Sequence, residues 1–159
     1  MRRIRQAFDD QLQLLEQGLL RFGAFVENML EKSVRALVEQ DVNLAREVIT
    51  SDDLADEMDV QIEQDCMRLL ALQQPMARDL RTIGTVMKVI ADVERIGDYS
   101  VDIARSAIRL ATTTYFKPLL DIPKMAELVR MMLRKALEAL VKRDLELVRQ
   151  VVDDDDAVD

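Results

Sequence analysis

From Phe8 onward the apolar residues Phe8, Leu12, Leu15, Leu19, Phe22, Val26 and Met29 follow one another at alternating steps of four and three. That alternation tracks the 3.6-residue turn and draws one continuous stripe along a helix, which the pattern carries to about Leu37 and ends near Gln40. Asp41 is a good N-cap, and a second stripe follows it through Leu44, Val48, Ala55, Met58, Ile62, Cys66 and Leu69. The Gln-Gln-Pro stretch ending at Pro75 reads as a tight connection into a third helix, because proline is tolerated in a first helical turn. This helix runs to about Leu110, with Ile83, Val86, Ile90, Val93, Gly97, Ala104 and Ile108 as its buried side. With only 4 glycines and 3 prolines in 159 residues, little interrupts these helices. Helices joined by such short turns pack as antiparallel neighbours.

The pattern breaks over residues 112–123 (TTTYFKPLLDIP), which reads as a linker, and the chain then repeats itself. Laying Phe25 to Asp56 over Leu128 to Asp159 without a gap gives fourteen identities in thirty-two positions, among them Met29 with Met132, Asp41 with Asp144 and Asp53 with Asp156. The expected fold is all-α: tandem antiparallel three-helix bundles of long helices, with the second bundle incomplete. Residues 1–111 form the first unit, 112–123 the linker and 124–159 the start of the second. Asp159 matches Asp56, in the middle of the second helix, so a full second unit would extend at least about another 50 residues. The apolar stripe at Leu133, Leu137, Leu140 and Leu147 is expected to be exposed and to seek a partner.

The composition removes several classes of function. A net charge of −8 opposes binding to nucleic-acid phosphates. The chain has no histidine, which removes the commonest general base and the commonest transition-metal ligand. Its single cysteine, Cys66, excludes an intrachain disulfide and reads as a small buried hydrophobe in a reducing compartment. No apolar run is long enough to span a bilayer, and Met1 to Arg5 run straight into an amphipathic pattern, so neither a membrane span nor export is expected. Neither a phosphate-cradling glycine loop nor a nucleophile elbow occurs, so no catalytic set emerges and the chain reads as a non-enzyme.

One constellation remains. Glu94, Asp98 and Asp102 stand at i, i+4 and i+8 in the third helix. Steps of four advance a helix by about 400°, so the three acids form one nearly straight row. Like charges at this spacing cost about 0.2–0.5 kcal/mol per pair unless something neutralises them. Asp53, Asp56 and Glu57 form a second acidic patch on the second helix, the antiparallel neighbour of the third, so carboxylates from both helices could converge. All-oxygen donors suit hard cations such as Mg, Mn or Ca, and carboxylate-bridged iron. The plain alternative is a solvated acidic face, with Arg95 and Arg105 three positions from Asp98 and Asp102 as local partners. Gly97 is expected to permit close approach of a neighbouring helix. Arg81 is expected to pair with Asp79 or with an acid on the second helix.

The tandem units, the Pro-led third helix with Asp79-Leu-Arg81, the Glu94-Arg-Ile-Gly-Asp98 signature and the opening Phe22-Gly23, Val26, Ala36-Leu37 and Asp41 resemble the PhoU family over the whole chain. The resemblance implies a cytoplasmic negative regulator of phosphate uptake, held at the inner membrane only through its partners. Those partners are the ATPase of the phosphate ABC transporter and the sensor histidine kinase of phosphate starvation. It implies an adaptor, a homodimer, and bound Fe, Mn or Mg. Glu94 and Asp98 match the family's metal motif, Asp102 extends it, and Asp53, Asp56 and Glu57 are the supporting acids. Two other classes compete. A di-metal carboxylate enzyme needs Glu-x-x-His segments that this chain lacks, and a dimerisation or scaffold module would use the apolar stripes alone.

Overall fold

The computed structural model describes residues 2–73, 76–156 and 158, and for 2–4, 72 and 73 the backbone alone. Among these residues five helices follow in order: α1 (Arg2–Glu39), α2 (Val42–Gln73), α3 (Ala77–Leu110), α4 (Asp121–Lys142) and α5 (Leu145–Asp155). Pro75, expected to lead into the third helix, lies outside the described residues. The fold is the all-α bundle of long helices that the spacing predicts.

α1, α2 and α3 close around one core. Phe22, Leu19 and Val26 from α1, Val48 and Cys66 from α2, and Ile83, Val86, Val93 and Val101 from α3 are its most deeply buried large side chains. All but Val101 stand in the stripes read from the sequence, and Ile108 alone among the expected α3 set is only half-buried. Cys66 is fully buried, and burial pushes its thiol up to about 11, which fits the inert hydrophobe.

The two units repeat in geometry as well as in letters. Gln40 and Arg143, equivalent under the duplication, both take the left-handed backbone at φ 56 that ends a helix. The amides of the next residues, Asp41 and Asp144, reach back to the carbonyls of Ala36 and Ala139, each at 3.0 Å. The carboxylate of Asp41 then accepts from the Leu44 amide at 3.0 Å, and that of Asp144 accepts from the Glu146 amide at 2.9 Å. Gln40 turns its side-chain amide to the carbonyls of Leu110 and Thr113, both at 2.7 Å, and the Tyr115 hydroxyl donates to the Leu37 carbonyl at 2.6 Å. These bonds tie the connecting segment to the end of the first bundle. α4 then begins at Asp121, so Pro123 falls inside its first turn instead of closing the linker; a proline there lacks only an N–H that needs no helical partner.

α4 does not leave its whole stripe open, as the sequence led us to expect. Leu133 and Leu137 are buried and Leu140 half-buried, because α1 offers a second face outside its core stripe and α4 packs antiparallel along it, while Leu147 is half-buried on α5, which packs against α4. Glu27, itself buried, meets Arg134 and Arg130, and Arg130 also reaches Glu31 at 2.9 Å. Gly23 permits this approach, since a Cβ there would overlap the Leu137 side chain. At Gly97 a Cβ would stand 3.7 Å from Val26, an ordinary contact, so the close approach expected at Gly97 occurs at Gly23 instead.

What α4 and α5 do expose is the face that α3 covers in the first unit. Phe22 and Ala45 are fully buried, whereas their repeat counterparts Met125 and Val148 are 47% and 45% exposed. Leu145 and Val152 lie open beside them.

Candidate functional site

The acids of interest lie where α2 and α3 run side by side. α2 directs Asp52, Asp56 and Asp59 to this seam at spacings of four and three, and α3 supplies Glu94 and Asp98. The buried Ala55, Ile62 and Cys66 fix the phase of α2. At 100° per residue, Asp52 and Asp59 lie within about 60° of Ala55 around the helix, and Asp56 about 100° away. Asp53 and Glu57 fall roughly 160–200° away, which turns them from α3.

The electrostatics follow that placement. Burial raises the Glu94 carboxyl above its ordinary range, and repulsion from Asp98, Asp59, Asp56 and Asp52 adds to it. Asp52 is raised by burial and by Asp56 and Asp98, against an opposing pull from Arg105. Asp59 is raised by burial, Glu63 and Asp56. Its Oδ1 is buried without a hydrogen-bond partner, a costly state for a carboxylate oxygen. The arginines expected to neutralise the row do so only in part. Arg105 pairs with Asp102 at 3.1 Å, but Arg95 turns to Asp92 at 3.9 Å and leaves Asp98 alone. Among the described residues no cation stands within ion-pair distance of Asp52, Asp56, Asp59, Glu94 or Asp98.

Of the six acids singled out from the sequence, the structure therefore gathers Glu94, Asp98 and Asp56. Asp102 is committed to Arg105. Asp53 is exposed and acts on the seam only through its neighbour Asp52, while Glu57 lines a separate groove between α1 and α2. Sequence reasoning passed over Asp52 and Asp59, whose four-and-three spacing with Asp56 was the available signal. It also passed over Glu27, whose repeat counterpart Arg130 carries the opposite charge. Arg81 is exposed, and the Asp79 carboxylate expected to hold it is buried and pairs instead with Arg5 at 2.8 Å.

The donor set is all oxygen, carries an orphaned buried acceptor and lacks internal neutralisation, which fits a hard cation. Among the described residues no three acids already converge at ligand distance, so the seam is an open row and not a closed cage.

A duplicated helical bundle with a carboxylate row between its second and third helices defines a class of all-helical bundle protein, and among the described residues no helix is long and apolar enough to cross a membrane. The profile described as the PhoU domain matches residues 19–107 and again 122–159. A phosphate-specific transport system accessory protein PhoU homolog of Clostridium acetobutylicum is 38% identical over 98% of this chain and 71% of its own length. The homolog from Aquifex aeolicus is 37% identical over 94% of this chain and 67% of its own. The crystal structure of PhoU from Pseudomonas aeruginosa superposes with a TM-score of 0.88 at 33% identity, covering 94% of this chain and 72% of that one. A phosphate transport system regulatory protein PhoU from Streptococcus pneumoniae gives 0.85 at 30% identity. The chain belongs to the PhoU family.

Proposed function

We propose that this chain is a non-catalytic accessory protein of phosphate-specific transport, acting in the cytoplasm. Its similarity to relatives named as accessory proteins of that system, over 98% of its length, carries the reading. In the finer form, it restrains phosphate uptake and starvation signalling by engaging the ATPase of the phosphate ABC transporter and a sensor histidine kinase. The α2–α3 seam is the cation-dependent surface of this adaptor, with Glu94, Asp98, Asp52, Asp56 and Asp59 as the oxygen donors. A bound Mg, Mn or Fe ion would supply the positive charge that the row lacks. The orphaned Asp59 oxygen and the raised Glu94 and Asp52 carboxyls support this role. In the same reading the chain acts as a homodimer, and the α1–α4 face is not its interface because it is already occupied within the chain.

Two measurements on the purified chain test the reading. Elemental analysis of the parent and of a Glu94→Ala/Asp98→Ala variant should find metal in the parent alone; metal retained by the variant would remove the seam from the account. Co-purification with the transporter ATPase should rise with phosphate in the medium. Association indifferent to phosphate would reduce the chain to a helical scaffold.

A further inference from the structure

A second concave surface lies between α1 and α2, on the side of α1 away from α4. It encloses about 690 Å³. Leu14 on α1 and Leu54, Met58 and Val60 on α2 give it an apolar wall, and Gly18 opens its floor. Leu14 is 60% exposed, and Leu54 and Val60 are each 48% exposed. Apolar residues scattered singly need no explanation, but a cluster around one hollow marks a binding surface. Leu14 and Gly18 lie roughly half a turn around α1 from Gly23 and Glu27, so α4 leaves the hollow free.

Its rim is acidic. Asp56 and Glu57 have no cation at ion-pair distance among the described residues, and Asp65 is held by Arg68 at 3.2 Å. Arg21 is the positive group on the α1 side. We propose that this groove docks a basic amphipathic helix of a partner protein. An all-helical surface offers no strand edge for an extended peptide to join, so recognition must come from side chains seated between two helix ridges. From Leu54 to Asp65 the α2 wall runs about 16 Å, room for roughly three turns of a docked helix. Leucines at i, i+3 or i+4 and i+7 would enter the hollow while lysines meet Asp56 and Glu57. The same carboxylates repel the phosphates of a membrane or a nucleic acid. The groove stands on its own residues and does not rest on the cation reading of the seam, although Asp56 borders both.

The probe is a labelled helical peptide of roughly four turns with leucines at that spacing and lysines elsewhere, read by fluorescence anisotropy against the full chain. Its twin carries glutamate for every lysine. The lysine peptide should bind, its affinity falling with added salt, and the twin should bind at least about tenfold more weakly. A Leu14→Lys/Val60→Lys variant, altered only at exposed positions, should lose at least about tenfold, as should Asp56→Asn/Glu57→Gln. Val152→Lys on α5 and Glu94→Gln on the seam should bind as the parent does, which separates failure here from failure of the metal reading. Absence of binding, equal binding of the twin, or indifference to the groove variants overturns the proposal. So does sedimentation with anionic vesicles that is lost in Leu14→Lys/Val60→Lys, which would assign the groove to a lipid surface.

Discussion

At the scale of single residues, two glycines in helices have opposite meanings. Gly84 is exposed and a Cβ there meets nothing within 4 Å, so Gly84→Ala should gain the full helix preference of alanine, about 1 kcal/mol, and raise Tm by roughly 2–4 °C. Gly23→Ala gains the same preference but drives a methyl into the buried Leu137 side chain, and repacking there costs about 1–3 kcal/mol. Thermal melts of the two variants should move in opposite directions; equal rises would remove Gly23 as the reason for close packing. Glu94 supplies a pH-dependent counterpart. Asp52, Asp59 and Glu94 are all raised above their unfolded values, so the folded state takes up their protons more readily. Their stabilisation is full below the unfolded values near pH 4 and is lost as pH rises through the raised ones. In metal-free buffer, Glu94→Gln should therefore stabilise at pH 7 by roughly 0.5 kcal/mol, after discounting for solvent screening, and give no gain near pH 4. A gain of equal size at both pH values would show that packing, not charge, sets the effect.

Individual helices were legible where the signal is local. Asp41 and Asp144 each follow a completed stripe and precede a new one, and both cap as their position predicts, because an N-cap needs only the amides two and three residues on. α5 packs against α4 alone among the described helices, so it leans on its cap more heavily than α2 does. Asp144→Ala should cost about 1 kcal/mol and appear as faster amide hydrogen exchange across α5, with α2 unchanged. Exchange accelerated equally in both helices would mean that α5 does not open on its own. The acids on α3 were legible for the same local reason, since Glu94 and Asp98 share a face by spacing alone. Of those on α2, Asp56 alone was. Density drew attention to Asp53, Asp56 and Glu57, but membership in the seam depends on angle from the buried Ala55, which places Asp52 and Asp59 inside and Asp53 and Glu57 outside. The α1–α4 contact was hidden for a related reason. Its stripe on α1 contains Glu27, and a charged residue in a packed face reads as surface until its partner is known.

Across the whole molecule, the duplication creates a problem that its own sequence resolves. α1 and α4 are equivalent helices packed antiparallel, so residues near their crossing face the neighbourhood of their own counterparts. Glu27 corresponds to Arg130 and Glu31 to Arg134, and the observed pairs are Glu27 with both arginines and Glu31 with Arg130. Had the second copy kept the glutamates of the first, four carboxylates would crowd one packed face. The inverted charges make that face fit unit one to unit two and oppose pairing of unit one with another unit one. Glu27→Arg/Glu31→Arg should then set four cations together and destabilise by about 2–4 kcal/mol, less than a fully buried pair would give because Arg134 remains 58% exposed. Adding Arg130→Glu/Arg134→Glu restores opposite charges with their places exchanged, and chemical denaturation should recover more than half of the loss. If the fourfold variant is merely the sum of its two halves, the charges act singly and the pairing of the units depends on Gly23, Leu133 and Leu137 alone.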